Sequence, residues 1–151
     1  MTALAKWAAA LSYTAAFGTE INSLAAGSTA IGSVIIDNTT TLATDGYISW
    51  SLSAATTAGT SYLSFYLLPL NEDGTTYGDN TATGTATPDS QYYVGNAPVQ
   101  PPASGNVVGS IYIGNIPATK FKLAVYNGTG NAFGATAGTI SFASNDINLN
   151  G

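Results

Sequence analysis

The feature that most constrains the fold is a two-residue alternation of apolar and polar side chains. In "GYISWSLS", residues 46–53, Ile48, Trp50 and Leu52 share one parity, while tyrosine and serine occupy the other. Successive side chains of a β-strand point to opposite faces, so the pattern predicts a strand with one buried face. We expect Trp50 to lie on that buried face. The alternation recurs in "GSIYIGNI" (109–116), "KFKLAVYN" (120–127) and "GTISFASN" (138–145).

Other segments complete an all-β pattern. Residues 61–70, "SYLSFYLLPL", are apolar on both parities, which predicts a central strand covered on both sides. Shorter strands are expected in "AIGSVIID" (30–37) and "QYYV" (91–94), and Asp-Gly and Asn-Gly pairs mark tight turns between strands. Many short strands with frequent turns predict an antiparallel β-sandwich, and the strand count with one long insertion favours a jelly roll.

The chain has 151 residues, the size of one domain, and we expect an N-terminal arm (1–18) before a single sandwich domain (19–151). The start carries one charge, Lys6, and its alanine-rich run is interrupted by polar residues, which favours a retained arm or short helix over a secretory signal. Thr19 and Gly27 are placed to begin and end a short helix. The stretch 71–106 is rich in Thr, Gly, Asn and Pro, and we expect a long contact loop.

Composition excludes several classes of function. Only 7% of residues are charged, the net charge is −5, and the chain has no Arg, His or Cys. Nucleic-acid binding needs a basic patch, which three lysines cannot supply, and no apolar run reaches the about 20 residues of a membrane span. A Ser-His-Asp triad and a thiol nucleophile are both impossible. The sequence predicts no catalytic residue, no cofactor and no enzymatic activity, although composition alone leaves open a glycosidase, which needs only two carboxylates.

One acidic turn is the remaining candidate for site chemistry. Glu72, Asp73 and Asp79 follow the predicted central strand within a Gly-rich stretch. They are weak candidates for a Ca²⁺ site, although their spacing is not that of an EF-hand loop, and for the two carboxylates of a glycosidase. The favoured interpretation is that they solvate the turn where the buried strand ends and a contact loop begins.

Aromatic residues are the second group of interest. Nine Tyr and two Trp could stack on sugars, but such residues also fill cores and interfaces, and the core or interface interpretation is favoured here. The candidate interface residues are Leu4, Trp7, Leu11, Tyr13 and Phe17 in the arm, and Tyr77, Tyr92, Tyr93, Pro101 and Pro102 in the insertion.

Four segments taken in order resemble a family of small structural proteins of tailed-phage virions. They are "EINSLAAGS" (20–28), "YLLPLNEDGTTYGDN" (66–80), "PPASGN" (101–106) and "KFKLAVYNGTGNAF" (120–133). The resemblance implies a capsid decoration or cement protein on the virion surface. It also implies a homotrimer that binds the major capsid protein or another virion subunit. The alternative is an extracellular role, as a carbohydrate-binding β-sandwich of a phage fibre or a secreted bacterial protein.

Overall fold

The computed structural model describes residues 11–54, 61–78, 87–100 and 106–145. These residues contain one 3₁₀ turn, Ser90–Tyr92, and no α-helix. The strands are β1 (Thr14–Ala15), β2 (Thr29–Ile31), β3 (Ile36–Asp37), β4 (Asp45–Ala54), β5 (Tyr62–Pro69), β6 (Tyr93–Pro98), β7 (Val107–Gly114), β8 (Lys120–Gly128) and β9 (Phe133–Ser144). The all-β prediction is confirmed.

The strands form two antiparallel sheets. The first sheet has the order β1-β9-β4-β7, and the second has the order β2-β8-β5-β6, with β3 also paired to β8. With β2 and β3 taken as one interrupted strand, each sheet has four strands among the described residues, and β1 pairs with β9. This order is that of a jelly roll, so the more specific prediction also holds.

The core lies between the inner faces of the two sheets. Ile48, Trp50 and Leu52 of β4 are buried, as their parity predicts. The Trp50 side chain is only 5% exposed, and its ring centroid lies 5.6 Å from that of Phe65 on the opposite sheet. Strands β5 and β8 contribute Leu63, Phe65, Leu67, Phe121, Leu123 and Val125 to this core.

Strand β5 is central in the second sheet, between β8 and β6. Its core-facing residues alternate with outer-face residues, yet outer-face Leu68 is also fully buried. The chain after β5 folds back, and Gly78 packs directly against the Leu68 side chain. The second face of β5 is therefore covered at this end by a turn, which accounts for the apolar residues on both parities.

Three segments differ from expectation, the first being the short helix predicted from Thr19 to Gly27. That segment instead contains separate turns, in which the Asn22 amide donates to the Thr19 carbonyl and the Leu24 amide donates to the Ile21 carbonyl. Ser23 has a φ of 55°, outside the helical region, and its amide donates to the Gly134 carbonyl of β9. Hydrogen bonds to β9 replace those that a helix would make.

The second difference concerns the expected arm. Thr14 and Ala15 pair with Phe142 and Ser141 of β9, and Phe17 lies in the core. The C-terminal end of the 1–18 segment thus belongs to the sandwich, and Phe17 is a core residue rather than an interface residue. Residues 1–10 lie outside the described part of the chain.

The third difference lies in the expected loop from residue 71 to residue 106. Leu70 and Tyr77 form an antiparallel bridge, which closes a short turn directly after β5. Strand β6 then starts at Tyr93, inside the predicted strand "QYYV", and pairs with β5. The insertion therefore supplies an edge strand of the second sheet, a pairing that local composition did not reveal.

Candidate functional site

The acidic turn after β5 is held together by one carboxylate. Asp73 Oδ1 accepts hydrogen bonds from the amides of Thr75 (2.9 Å) and Thr76 (2.8 Å), and Oδ2 accepts one from the Thr76 hydroxyl (2.6 Å). The Thr76 hydroxyl, followed by the two amides, lowers the pKa of Asp73 to about 2. The oxygens of Asp73 are thus engaged inside its own turn.

The other two acidic candidates are Glu72 and Asp79. Glu72 is exposed, and Asp79 lies outside the described residues. Within the described ranges, no three carboxylate or imidazole side chains are grouped closely enough to hold a metal ion. The geometry of Asp73 supports the interpretation that this turn caps the end of a buried strand.

The outer face of the first sheet, here called the open face, is lined mainly by serine and threonine side chains. Ser49 of β4 lies beside Ser110 of β7 and Ser141 of β9, and Ala15 of β1 continues the row. The remaining members of the open face are Tyr47, Ser51, Val108, Tyr112 and Thr139. None of these nine side chains carries a charge, but Asp45 of β4 shares their parity and lies at the end of the face, opposite Gly114.

Two large side chains protrude from the open face. Val108 is 71% exposed and Tyr112 is 55% exposed. The Tyr112 ring packs edge-to-face on Tyr47 with a centroid distance of 5.5 Å, and its hydroxyl donates to Asp45 Oδ2 at 2.6 Å. This hydrogen bond raises the pKa of Tyr112 and fixes the orientation of its ring. The face thus presents one aliphatic and one oriented aromatic side chain to solvent.

The outer face of the second sheet is partly covered by its own tyrosines. The Tyr62 and Tyr126 rings stack at 6.0 Å, and the Tyr66 and Tyr93 rings pack edge-to-face at 5.7 Å. Between the two pairs, the Ser64 hydroxyl donates to Asn96 Oδ1 at 2.6 Å, and Ser64 itself is buried. Burial raises the pKa of Tyr66 and of Tyr126. The paired rings cover part of this face, while Tyr62 and Tyr93 remain 36% and 44% exposed.

A cleft of about 410 Å³ lies at one end of the sandwich, where β5, β6 and the β7–β8 connection meet. Tyr92 and Tyr93, two of the predicted interface residues, line it, together with Gln91, Asn115 and Pro117. The sequence drew attention to the tyrosines because of their residue type. The sequence did not predict the amide residues as part of a site, because only the fold brings the β7–β8 connection beside β6.

The other predicted interface residues are scattered. Leu11 is half-buried, and Tyr13 is exposed just before β1. Tyr77 is half-buried, with the Lys122 ammonium 5.0 Å from its ring centroid. The remaining candidates, Leu4, Trp7, Pro101 and Pro102, lie outside the described residues.

Comparison with known proteins gives no relative: no protein-family model, no curated protein and no solved structure matches the chain. The described ranges also include no helix with the length and apolar character needed to cross a bilayer.

Proposed function

We propose that this chain is a structural protein of a virion, a decoration or cement subunit that binds other virion subunits and catalyses no reaction. The resemblance of its four ordered segments to phage virion proteins supports this role. The open face is the observation that carries the proposal, because it offers a broad surface of uncharged side chains, bordered by Asp45, from which Val108 protrudes at 71% exposure.

The chemistry of the open face suits burial against another protein. Desolvating a charged group costs far more than desolvating a hydroxyl that finds a new partner. Apart from Asp45, whose carboxylate accepts a hydrogen bond from the Tyr112 hydroxyl, this face has only hydroxyls and apolar atoms to desolvate. Burying Val108 removes apolar surface from water, at about 25 cal/mol per Å². Tyr112 is of a residue type enriched at interfaces, and its ring is already oriented by Asp45 and Tyr47.

The partner and the oligomeric state follow from the resemblance. The partner is the major capsid protein or a neighbouring virion subunit, and the chain itself is a homotrimer. Sedimentation equilibrium of the purified protein tests the trimer directly. A single species at the monomer mass, at concentrations well above those used for binding, would remove the trimer from the proposal.

The docking surface is tested by placing a charge on the open face. Val108→Lys and Ser110→Lys alter exposed positions, so the melting temperature should change little. Binding to particles stripped of the protein should weaken at least tenfold, because the ammonium would have to be desolvated in the contact. Cosedimentation with those particles measures the effect.

Ala26→Lys is the matched control. Ala26 is exposed in the β1–β2 connection and lies outside the open face, so this variant adds the same charge elsewhere. It should bind like the parent protein. Full binding by Val108→Lys, or equal losses in all three variants, would show that the open face is not the docking surface.

A further inference from the structure

The end cleft has the chemistry of a small-ligand site. Its lining side chains are all uncharged and include two tyrosines, two amides and the apolar Leu67. Its volume of about 410 Å³ lies near the lower end of the range of about 300–1,000 Å³ for small-molecule sites. We infer that this cleft binds a neutral sugar of one or two residues.

The tyrosines provide the apolar wall. Tyr93 is 44% exposed, and its ring is held edge-to-face by Tyr66. Tyr92 closes the 3₁₀ turn, where its amide donates to the Asp89 carbonyl at 3.0 Å. Both tyrosines line the cleft and are carried on ordered backbone. Tyrosine combines an apolar ring with a hydroxyl, which matches a sugar that has C–H faces and polar edges.

The amides provide the polar wall, and one of them lies on a pinned connection. Asn115 has a φ of 56°, a left-handed conformation that asparagine tolerates better than most residues. The next residue, Ile116, donates its amide to the Thr44 carbonyl at 3.1 Å, and the Pro117 carbonyl accepts from Asn38 Nδ2 at 2.9 Å. An amide side chain offers both donors and an acceptor, as hydroxyl groups require.

Other ligand classes fit less well. An anionic ligand needs a cation, but Lys120 pairs with Asp37 at 3.6 Å and Lys122 lies over Tyr77, and neither lines the cleft. A purely apolar ligand would leave the amides of Gln91 and Asn115 without partners, which is costly in a desolvated site. A neutral sugar ring can pack its apolar face on the tyrosines and hydrogen-bond its hydroxyl groups to the amides.

The test is a binding screen of the purified protein against neutral mono- and disaccharides, followed by calorimetric titration of the best binder. Tyr93→Ala removes a ring, and Asn115→Gly removes an amide while keeping the left-handed conformation accessible. Both should weaken binding at least tenfold. Tyr112→Ala, which removes an exposed tyrosine from the open face, should leave binding unchanged.

The readouts separate this site from the docking surface. Val108→Lys should bind the sugar normally, so failure of the virion proposal and failure of the sugar proposal are distinguishable. Absence of binding by every sugar at millimolar concentration would overturn the inference. Binding of a proline-rich peptide in place of sugars would also overturn it, as would sugar binding that survives both Tyr93→Ala and Asn115→Gly.

Discussion

Asn127 shows how a single buried side chain organises one end of the sandwich. It is fully buried, and its Nδ2 donates to the carbonyls of Leu24 and Asn131, both at 2.9 Å. Its Oδ1 accepts from the amide (3.0 Å) and the hydroxyl (2.7 Å) of Thr129. These bonds tie the β1–β2 connection to the β8–β9 turn. The Asn127-Gly128 pair, which the sequence predicts as a turn, forms the last two residues of β8, and the turn follows it.

Asn127→Ala should lower the free energy of unfolding by about 2–4 kcal/mol, since each buried group left unsatisfied costs about 1–3 kcal/mol. Asn127→Asp keeps the acceptors and loses both donors, so it should also destabilise strongly. Urea unfolding followed by tryptophan fluorescence measures both variants. A loss below about 0.5 kcal/mol, typical of surface changes, would show that water replaces these bonds.

The exposed residue Asp73 makes the stability of the turn after β5 depend on pH. Its pKa is about 2 in the folded protein, against an ordinary value of 3.8. Because the folded value is the lower one, the turn gains stability from ionised Asp73 above about pH 3.8 and loses it as the pH falls towards 2. An NMR titration of the Asp73 carboxyl carbon should give a midpoint near 2.

Thr76→Val removes the hydroxyl that contributes most to this shift and should raise the pKa of Asp73 towards 3.8. Thr75→Val is the matched control, since the Thr75 side chain contributes least to the shift. An unshifted midpoint in Thr76→Val would contradict the hydrogen-bonding explanation.

The pairing of β9 with β4 requires a glycine at one position. Gly138 pairs with Leu52 of β4 beside a register shift, and its φ is 105°. A Cβ at this position would collide with the Ser51 carbonyl oxygen. The close approach of β9 to β4 therefore requires a residue without a side chain at this point.

Gly138→Ala should destabilise the protein by more than about 2 kcal/mol, from backbone strain together with overpacking. Gly114→Ala is the control, because a Cβ there meets no atom within 4 Å and its φ is not positive. That variant should stay within about 1 kcal/mol of the parent protein. Thermal melts compare the two, and equal melting temperatures would contradict the structure of β9.

The strands that the sequence predicted well are those with readable alternation. In β4 the parity of Ile48, Trp50 and Leu52 identifies the buried face because a sheet covered on one side imposes it. Strand β1 has only two residues, Thr14 and Ala15, too few to show a period, and it forms through pairing with β9. Local propensity suggested a helix where bonds to β9 impose turns.

The candidate site was also hard to predict, because contacts between distant parts of the sequence form it. Tyr92 and Tyr93 were noticed by type, whereas Asn115 joins them only through the jelly-roll connection between β7 and β8. In β7, Val108 and its neighbour Val107 point to opposite faces, and Val107 is the buried one. The sequence does not show that the outer face of the first sheet is open. Which outer face remains open depends on where the rest of the chain folds.

At the scale of the whole molecule, the two sheets differ in what covers them. The second sheet has its outer face shielded by tyrosine pairs and by the turn over Leu68, while the first sheet presents uncharged serines around Val108. This asymmetry is the reason for proposing the first sheet as the docking side. Because Asp45 is the only charged side chain that the described strands place on that side, the proposed attachment should depend only weakly on salt, which screens ionic contacts.

The central claim is tested most directly by quantitative mass spectrometry of purified phage particles from cells that encode the chain. The account predicts a fixed number of copies relative to the major capsid protein, reproducible between preparations and retained after a wash in high salt. Absence of the chain from particles, or trace amounts that vary between preparations while the bulk is found free in the medium, would contradict a structural role in the virion.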